Sequence, residues 1–375
     1  MRKPSIKVLF LACAAAAVPL ASSAARSSAF GIDAFNASVP ASSDVNGLFS
    51  PFGFEIDCAV FGEAADPITR AGIAESMGVL TDFASVYRPM IDRYADVAST
   101  NGFSYISARA FCLPEISMAS ADYRRRLWEL CGAEVCRLVP TGGAEAWFRA
   151  KMMGEMEDFY VTPSVSQAER YSYYDLVSIA VAWRGQSDSA ERRKFHAADG
   201  RDVDMEFFRM RRTIRRRSTS LFTLLKLPVA DGAYLYVMIP AKGASLKDVR
   251  ERLKGDDFTS LRASVDTLGD TDAGPARVSL AFPALDFTAK AGLSAPLLDA
   301  KVPQGGFTSL KETLSRRDSE QVVRFRIVDD PEVKADEPEY ATADLGEVVV
   351  DRPFVFFVHR PDDDTLSVVG QFTGR

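Results

Sequence analysis

The sequence predicts an α+β domain built on more than one β-sheet, and three observations carry that expectation. Helical segments are scattered through the first half, and alternating or apolar runs of strand length recur throughout. The final third is β-rich: DRPFVFFV from Asp351 and TLSVVGQFTG ending at Gly374 flank the solvated Asp362, Asp363 and Asp364, the pattern of a buried hairpin. Pro353 suits only the start or edge of such a strand. Helices and strands mixed in this way imply helices packed on separate sheets. No repeat is visible, and no linker-like or charged block divides the chain after residue 45, so its 375 residues are read as one large domain. At 47% hydrophobic and 26% charged residues, it can bury a sizeable core.

The first 25 residues are set apart from that domain. Arg2, Lys3 and Lys7 form a basic head, residues 8–20 are apolar apart from Pro19, and Ser22, Ser23, Ala24 and Ala25 offer small residues for cleavage, the layout of a secretory signal peptide. Its removal takes the 45 Lys and Arg to 42 against 51 Asp and Glu, moving the net charge from −6 to −9. A lipid anchor at Cys13 is the rival reading, opposed by the poor lipobox Phe10-Leu11-Ala12. Nothing else approaches the about 18 consecutive apolar residues of a membrane span. Residues 26–43 are expected to be a flexible segment before a domain over 44–375, and the protein is expected outside the cytoplasm, secreted or periplasmic.

Within the domain, residues 51–62 read as a buried helix, although Glu55 and Asp57 are unexpected there. Residues 105–112 alternate like a strand, residues 122–132 read as an amphipathic helix, and residues 144–156 as another. Residues 176–183 form a nearly continuous apolar run suited to the centre of a sheet. Asp270 and Asp272 fall short of a calcium loop and instead suit a turn before the strand containing Val278.

Catalytic motifs are absent: no metalloprotease helix, nucleophile elbow, Walker loop or dinucleotide glycine pattern occurs, so no enzyme is expected. After cleavage four cysteines remain, Cys58, Cys112, Cys131 and Cys136. Their spacing fits no common zinc site, and the chain has only two histidines, His196 and His359. Export permits disulfides, and buried free thiols are the alternative. The densest charge cluster is Arg209, Arg211, Arg212, Arg215, Arg216 and Arg217. Such a run can pair with sulfate or phosphate oxygens of a polyanion, while the interleaved Thr213, Ile214 and Thr219 suit the exposed face of a strand and turn. No cofactor, nucleic acid or membrane is expected as a partner, and the chain is expected to be a monomer.

Five segments, in order, resemble one family. Asn46-Gly47-Leu48-Phe49-Ser50-Pro51-Phe52, FHAADGRDVDMEFFRM from Phe195, YLYVMIPAKGASLKDVRERL from Tyr234, VSLAFPALDFT from Val278 and the C-terminal hairpin are similar to the corresponding motifs of the serpins, named for serine protease inhibition. The resemblance covers roughly residues 44 to 375. It implies helices packed on three β-sheets, with a large central sheet and an exposed reactive loop. It also places Cys112 and Cys136 on neighbouring strands, which makes them the preferred disulfide pair.

In the mechanism that the resemblance implies, a protease cleaves the loop, whose first half then inserts into the central sheet as a new strand and carries the acylated protease along. Residues that enter a sheet must be small, uncharged on the buried side and free of proline. The hinge here keeps the acidic pair as Asp329 and Asp330 but continues with Pro331, Glu332, Val333 and Lys334, then Asp336, Glu337, Pro338 and Glu339. Counting from the hinge puts the scissile bond at Leu345-Gly346, and counting back from Pro353 puts it at Thr342-Ala343. The candidates are therefore Thr342, Ala343, Asp344, Leu345 and Gly346. In the polar cluster beneath the sheet Ser50 is retained, Gly53 replaces a second serine, Ser178 falls where the family has asparagine, and no histidine appears around Gln321 and Val322.

The expected function is thus a secreted serpin-family protein, of a family whose activity is serine-type endopeptidase inhibition, that is non-inhibitory or behaves as a substrate. Genuine inhibition of a serine or cysteine protease is one alternative, and polyanion or protein binding without a protease target is another.

Overall fold

The structure is a computed structural model and describes residues 20–42, 44–80, 82–97, 102–137, 143–156, 170–266, 273–334 and 343–375. The first helix α1 (Leu20–Ser38) and strand β1 (Gly47–Phe49) lead into α2 (Pro51–Ala64), α3 (Pro67–Met77) and α4 (Phe83–Val97). Then follow β2 (Phe103–Leu113), α5 (Ala121–Cys131), β3 (Glu134–Arg137), α6 (Gly143–Lys151) and β4 (Arg170–Ala182). The middle of the chain forms β5 (Ser189–His196), β6 (Asp202–Ser218), β7 (Phe222–Pro228), β8 (Tyr234–Pro240), α7 (Leu246–Arg250) and α8 (Gly255–Ala263). The last part comprises β9 (Ala273–Pro283), β10 (Asp286–Gly292), α9 (Ser294–Asp299), β11 (Ser315–Val328), β12 (Ala343–Val349), β13 (Phe354–Arg360) and β14 (Thr365–Phe372).

The α+β class is as expected. Among the described residues, the strands join into two hydrogen-bonded ladders rather than three sheets. One has five strands in the order β10-β11-β4-β2-β3, and the other has nine, β1-β14-β13-β8-β7-β6-β9-β12, with β5 also on β6. The length of β6 explains the merger: its first half pairs with β5, its last residues, Arg215 to Ser218, with β7, and β9 runs along most of it.

The segment expected to be flexible is in fact helical and docked. α1 buries Ser28, Ile32 and Phe35 on one helical face, and Ala34 and, just past its end, Val39 are buried too. Arg250, itself buried, lies 4.1 Å from the Phe35 ring and donates to Asn36 Oδ1 (3.1 Å), the Val39 carbonyl (2.6 Å) and Gln371 Oε1 on β14. Burial pulls its guanidinium down to about 10. Asp33 accepts from Gly255 N at 3.0 Å. The leader expected over residues 1–25 lies largely outside the described residues, as do Cys13 and the Asp270–Asp272 turn. No helix among the described residues is long and apolar enough to cross a membrane.

α2 is buried along its whole length, as its sequence predicts, with Ser50 as N-cap and Pro51 in the first turn. The helix expected to continue to residue 156 stops at Lys151, because Met153 and Gly154 turn to positive φ (51° and 82°). Cys112 and Cys136 sit directly opposite each other on the parallel pair β2 and β3, on neighbouring strands as the resemblance implied, but all four cysteines are free thiols.

Replacing Arg250 with Met strands the Asn36, Val39 and Gln371 acceptors while keeping side-chain bulk. We expect a loss of about 2–4 kcal/mol of stability, measured by urea unfolding.

Candidate functional site

The central feature of the five-stranded sheet is a parallel seam. β11 and β4 pair along their whole lengths, from Ser315 opposite Arg170 to Val328 opposite Ala182. A chain turning back after Val328 would run antiparallel to both strands, the direction that the insertion implied by the resemblance requires.

The hinge is folded into a turn at the top of the seam. Val333 N donates to the Asp330 carbonyl at 3.2 Å across Pro331 and Glu332, a β-turn with proline in its favoured second position, and Glu332 N also donates to Asp330 Oδ1 at 2.9 Å. Asp329 accepts from the backbone N (2.9 Å) and hydroxyl (2.5 Å) of Ser187, while Gly185 N donates to the Val333 carbonyl at 3.0 Å. Val333 also presses on Gly102, where a Cβ would meet its Cγ2 at 2.4 Å. Residues 335–342, and with them the candidate Thr342, lie outside the described residues. Ala343, Asp344, Leu345 and Gly346 begin β12 on β9, with the register shifting between Asp344 and Glu347. Gly346, at φ +67°, donates its N–H to Asp344 Oδ1 at 2.9 Å. The Leu345-Gly346 bond therefore lies within a bulge of an edge strand, and Thr342-Ala343 at that strand's entrance.

Beneath the seam, the polar cluster has been rebuilt rather than lost. Gln321, on β11, accepts from Ser50 N at 2.7 Å and donates through Nε2 to the Ser50 carbonyl (3.1 Å) and to Asp175 Oδ2 on β4 (2.9 Å). Ser50 Oγ donates to the Ser367 carbonyl on β14 at 2.9 Å, lies 3.3 Å from Tyr105 OH, and accepts from Gly53 N at 3.1 Å. Glycine at 53 is a requirement of this arrangement, since a Cβ there would come within 2.8 Å of Asp175 Oδ2 and 2.9 Å of Gln321 Nε2.

Ser178 does not belong to this cluster, which corrects its predicted place. Strand alternation turns Tyr173, Asp175 and Val177 toward α2 and Ser178 to the opposite face, where its hydroxyl donates to Glu155 Oε2 at 3.2 Å. Glu155 also accepts from Arg326 at 2.8 Å, and its carbonyl from Arg324 at 2.7 Å, both on β11. A carboxylate thus bridges β4 and β11 from outside, as Gln321 and Asp175 do from within.

The two acidic residues that looked misplaced on α2 each have partners. Glu55 accepts from Tyr87 OH at 3.3 Å. Asp57 Oδ1 accepts from Arg109 Nε (3.1 Å) and Tyr173 OH (2.8 Å), and Arg109 Nη2 lies 3.1 Å from Asp175 Oδ1. Burial, followed by the neighbouring Asp175, holds the Asp57 carboxyl well above the usual range. Sequence reasoning missed Asp57, Arg109, Asp175 and Gln321. The available signal was the acidic pair on an otherwise apolar helix and the polar residues interrupting two buried strands.

The arginine run is not a concentrated patch. Strand alternation splits it between two faces of β6, and neighbours engage much of it. Arg212 donates to the Gly185 and Gln186 carbonyls (2.7 and 2.6 Å) and Arg217 to the Ser264 carbonyl (3.1 Å). Arg209 lies 3.7 Å from Glu191 and Arg215 lies 3.7 Å from Asp266, while Arg211 is exposed and only its backbone N–H donates to Asp188, at 2.9 Å. Arg216 is half-buried.

Gly53→Ala is expected to cost about 1–3 kcal/mol, because the added methyl drives Asp175 and Gln321 apart, and calorimetry would measure the loss.

The family profile described as "Serpin (serine protease inhibitor)" matches residues 25–374. Solved structures share the architecture at low identity. Native protease nexin-1, solved with heparin, is 18% identical with a TM-score of 0.79, covering 95% of this chain and 100% of its own. Maspin is 13% identical at 0.77 (95% and 99%), and AtSerpin1 of Arabidopsis, in its native stressed conformation, is 15% identical at 0.75 (95% and 98%). A search of curated proteins gives no match. With the profile spanning nearly the whole sequence and the fold shared throughout, the chain belongs to the serpin family.

Proposed function

We propose that this protein is a secreted serpin that does not trap proteases and whose loop is cleaved as a substrate. The observation that carries this reading is the hinge itself: Asp329–Val333 is a proline-braced turn bonded to Gly185 and Ser187, above a seam bridged on both faces. Insertion requires these contacts to be exchanged for strand pairing.

The loop sequence offers little in return. Alternation in an inserted strand would place Glu332, Lys334, Asp336 and Pro338 on one side and Glu337 and Glu339 on the other. Whichever side faced α2 would bury charge, at several kcal/mol per unpaired ion. Pro338 would also remove a ladder donor. Inhibition by tight blockade of a protease without insertion is the alternative within the same family.

The test is to nick the loop with a broad-specificity protease and compare melting before and after. We expect little change in melting temperature and no complex with serine proteases that survives denaturing electrophoresis. A large rise on nicking, or such a complex, would overturn the reading. Polyanion binding is supported less well, because the arginines of β6 are dispersed. The protein is expected to leave a heparin column at low salt, and retention into high salt would favour that alternative.

A further inference from the structure

Asp57, Arg109 and Asp175 form a closed electrostatic unit: two carboxyls and one guanidinium, each almost or wholly buried. Fully ionised, they would carry one net negative charge under the seam, in a region where an uncompensated ion is strongly disfavoured. The hydrogen bonds show how the excess is handled. Asp57 Oδ1 accepts from Arg109 and Tyr173, and Asp175 Oδ2 from Gln321. The remaining oxygens, Asp57 Oδ2 and Asp175 Oδ1, receive no hydrogen bond from any described residue. Arg109 Nη2, although 3.1 Å from Asp175 Oδ1, is out of line to donate. The two carboxyls are themselves within hydrogen-bonding reach of each other. Two neighbouring carboxyls, each with one oxygen that receives no hydrogen bond, are satisfied by one hydrogen shared between them.

We propose that Asp57 and Asp175 share a single proton beneath the β4–β11 seam, making the trio with Arg109 neutral and the closed seam most stable at acidic pH. Its role as a latch rests on the seam reading above, whereas the proton assignment rests on the geometry alone. Deprotonation releases that proton to solvent base and leaves one uncompensated negative charge among α2, β2 and β4.

The groups facing the pair do not compete with it. From β2 come Arg109 and Tyr105, from β4 Tyr173, from α5 Cys131, and from α2 Cys58, while β11 contributes the neutral Gln321. Burial pushes both tyrosines above their ordinary range, and pushes the Cys131 thiol up to about 11 and that of Cys58 higher than usual. The shared proton is therefore the one that leaves first in this cluster.

A carboxyl whose folded pKa is raised stabilises fully below its unfolded value, and the stabilisation is lost as pH rises through the folded value. Melting of the full chain and of Asp175→Asn is compared across pH, so that groups common to both cancel. From about pH 5 upward, the variant is expected to gain on the wild type by about 2 °C per pH unit until the proton is gone. An infrared band of a buried protonated carboxyl should be present in the wild type and absent from Asp175→Asn. A pH-independent gap together with no such band would overturn the assignment. If Asp175→Asn fails to fold, the infrared band of the wild type and its loss at high pH decide alone. A protease complex that survives denaturation would sink the functional reading while leaving the proton in place, so the two failures are distinguishable.

Discussion

The fold depends on how two parallel strands are held together over a polar floor. A parallel pair has no hairpin connection to enforce it, so its closure rests on ladder bonds and on whatever spans it. Here Gln321 connects β11 to the Ser50 cap of α2 and to Asp175 of β4 in one buried side chain. The start of the central helix, the floor of the sheet and the two sides of the seam are therefore one hydrogen-bonded unit. Glycine at 53 belongs to it, because only the absence of a Cβ lets Asp175 and Gln321 meet beside the helix.

The two faces of the seam are closed by different chemistry. Inside, neutral amide bonds and a compensated ionic trio work in a dry environment, where correct pairing is strongly enforced and imbalance is costly. Outside, Glu155 gathers Ser178, Arg324 and Arg326 at a partly hydrated surface, where such pairs contribute less and respond to salt. Above both, the hinge has exchanged mobility for a braced turn. A proline that would interrupt a strand is at home in the second position of that turn.

Much of the architecture was legible in the sequence, and the reasons are local. The C-terminal hairpin, the buried helix after Ser50 and the apolar run of β4 carry patterns that hardly any other structure satisfies. α1 was misread because it begins within the leader-like stretch and its apolar face is short; the buried Arg250 that secures it comes from a distant part of the chain. Ser178 was misassigned by a shift along β4 that turned the wrong side of the strand inward. The polar floor was read as depleted because each residue was judged singly. Gln321 and Asp175 compensate for an absent histidine and serine only as a pair, and pairing across the sheet is invisible until the register is known.

The placement of β1 has a consequence for biogenesis. Among the described residues β1 pairs with β14 alone, and the Arg250 clamp on α1 also reaches Gln371 in that strand. During synthesis α1 can pack against α2, α8 and α9 first, but the pairing of β1 and the Gln371 arm of the Arg250 clamp must wait until β14 is made. Contacts of such long sequence separation form slowly and leave sticky intermediates exposed. Loss of β14 would leave β1 without that ladder and the Arg250 clamp without its Gln371 arm, so the two ends of the domain are joined in one folding event.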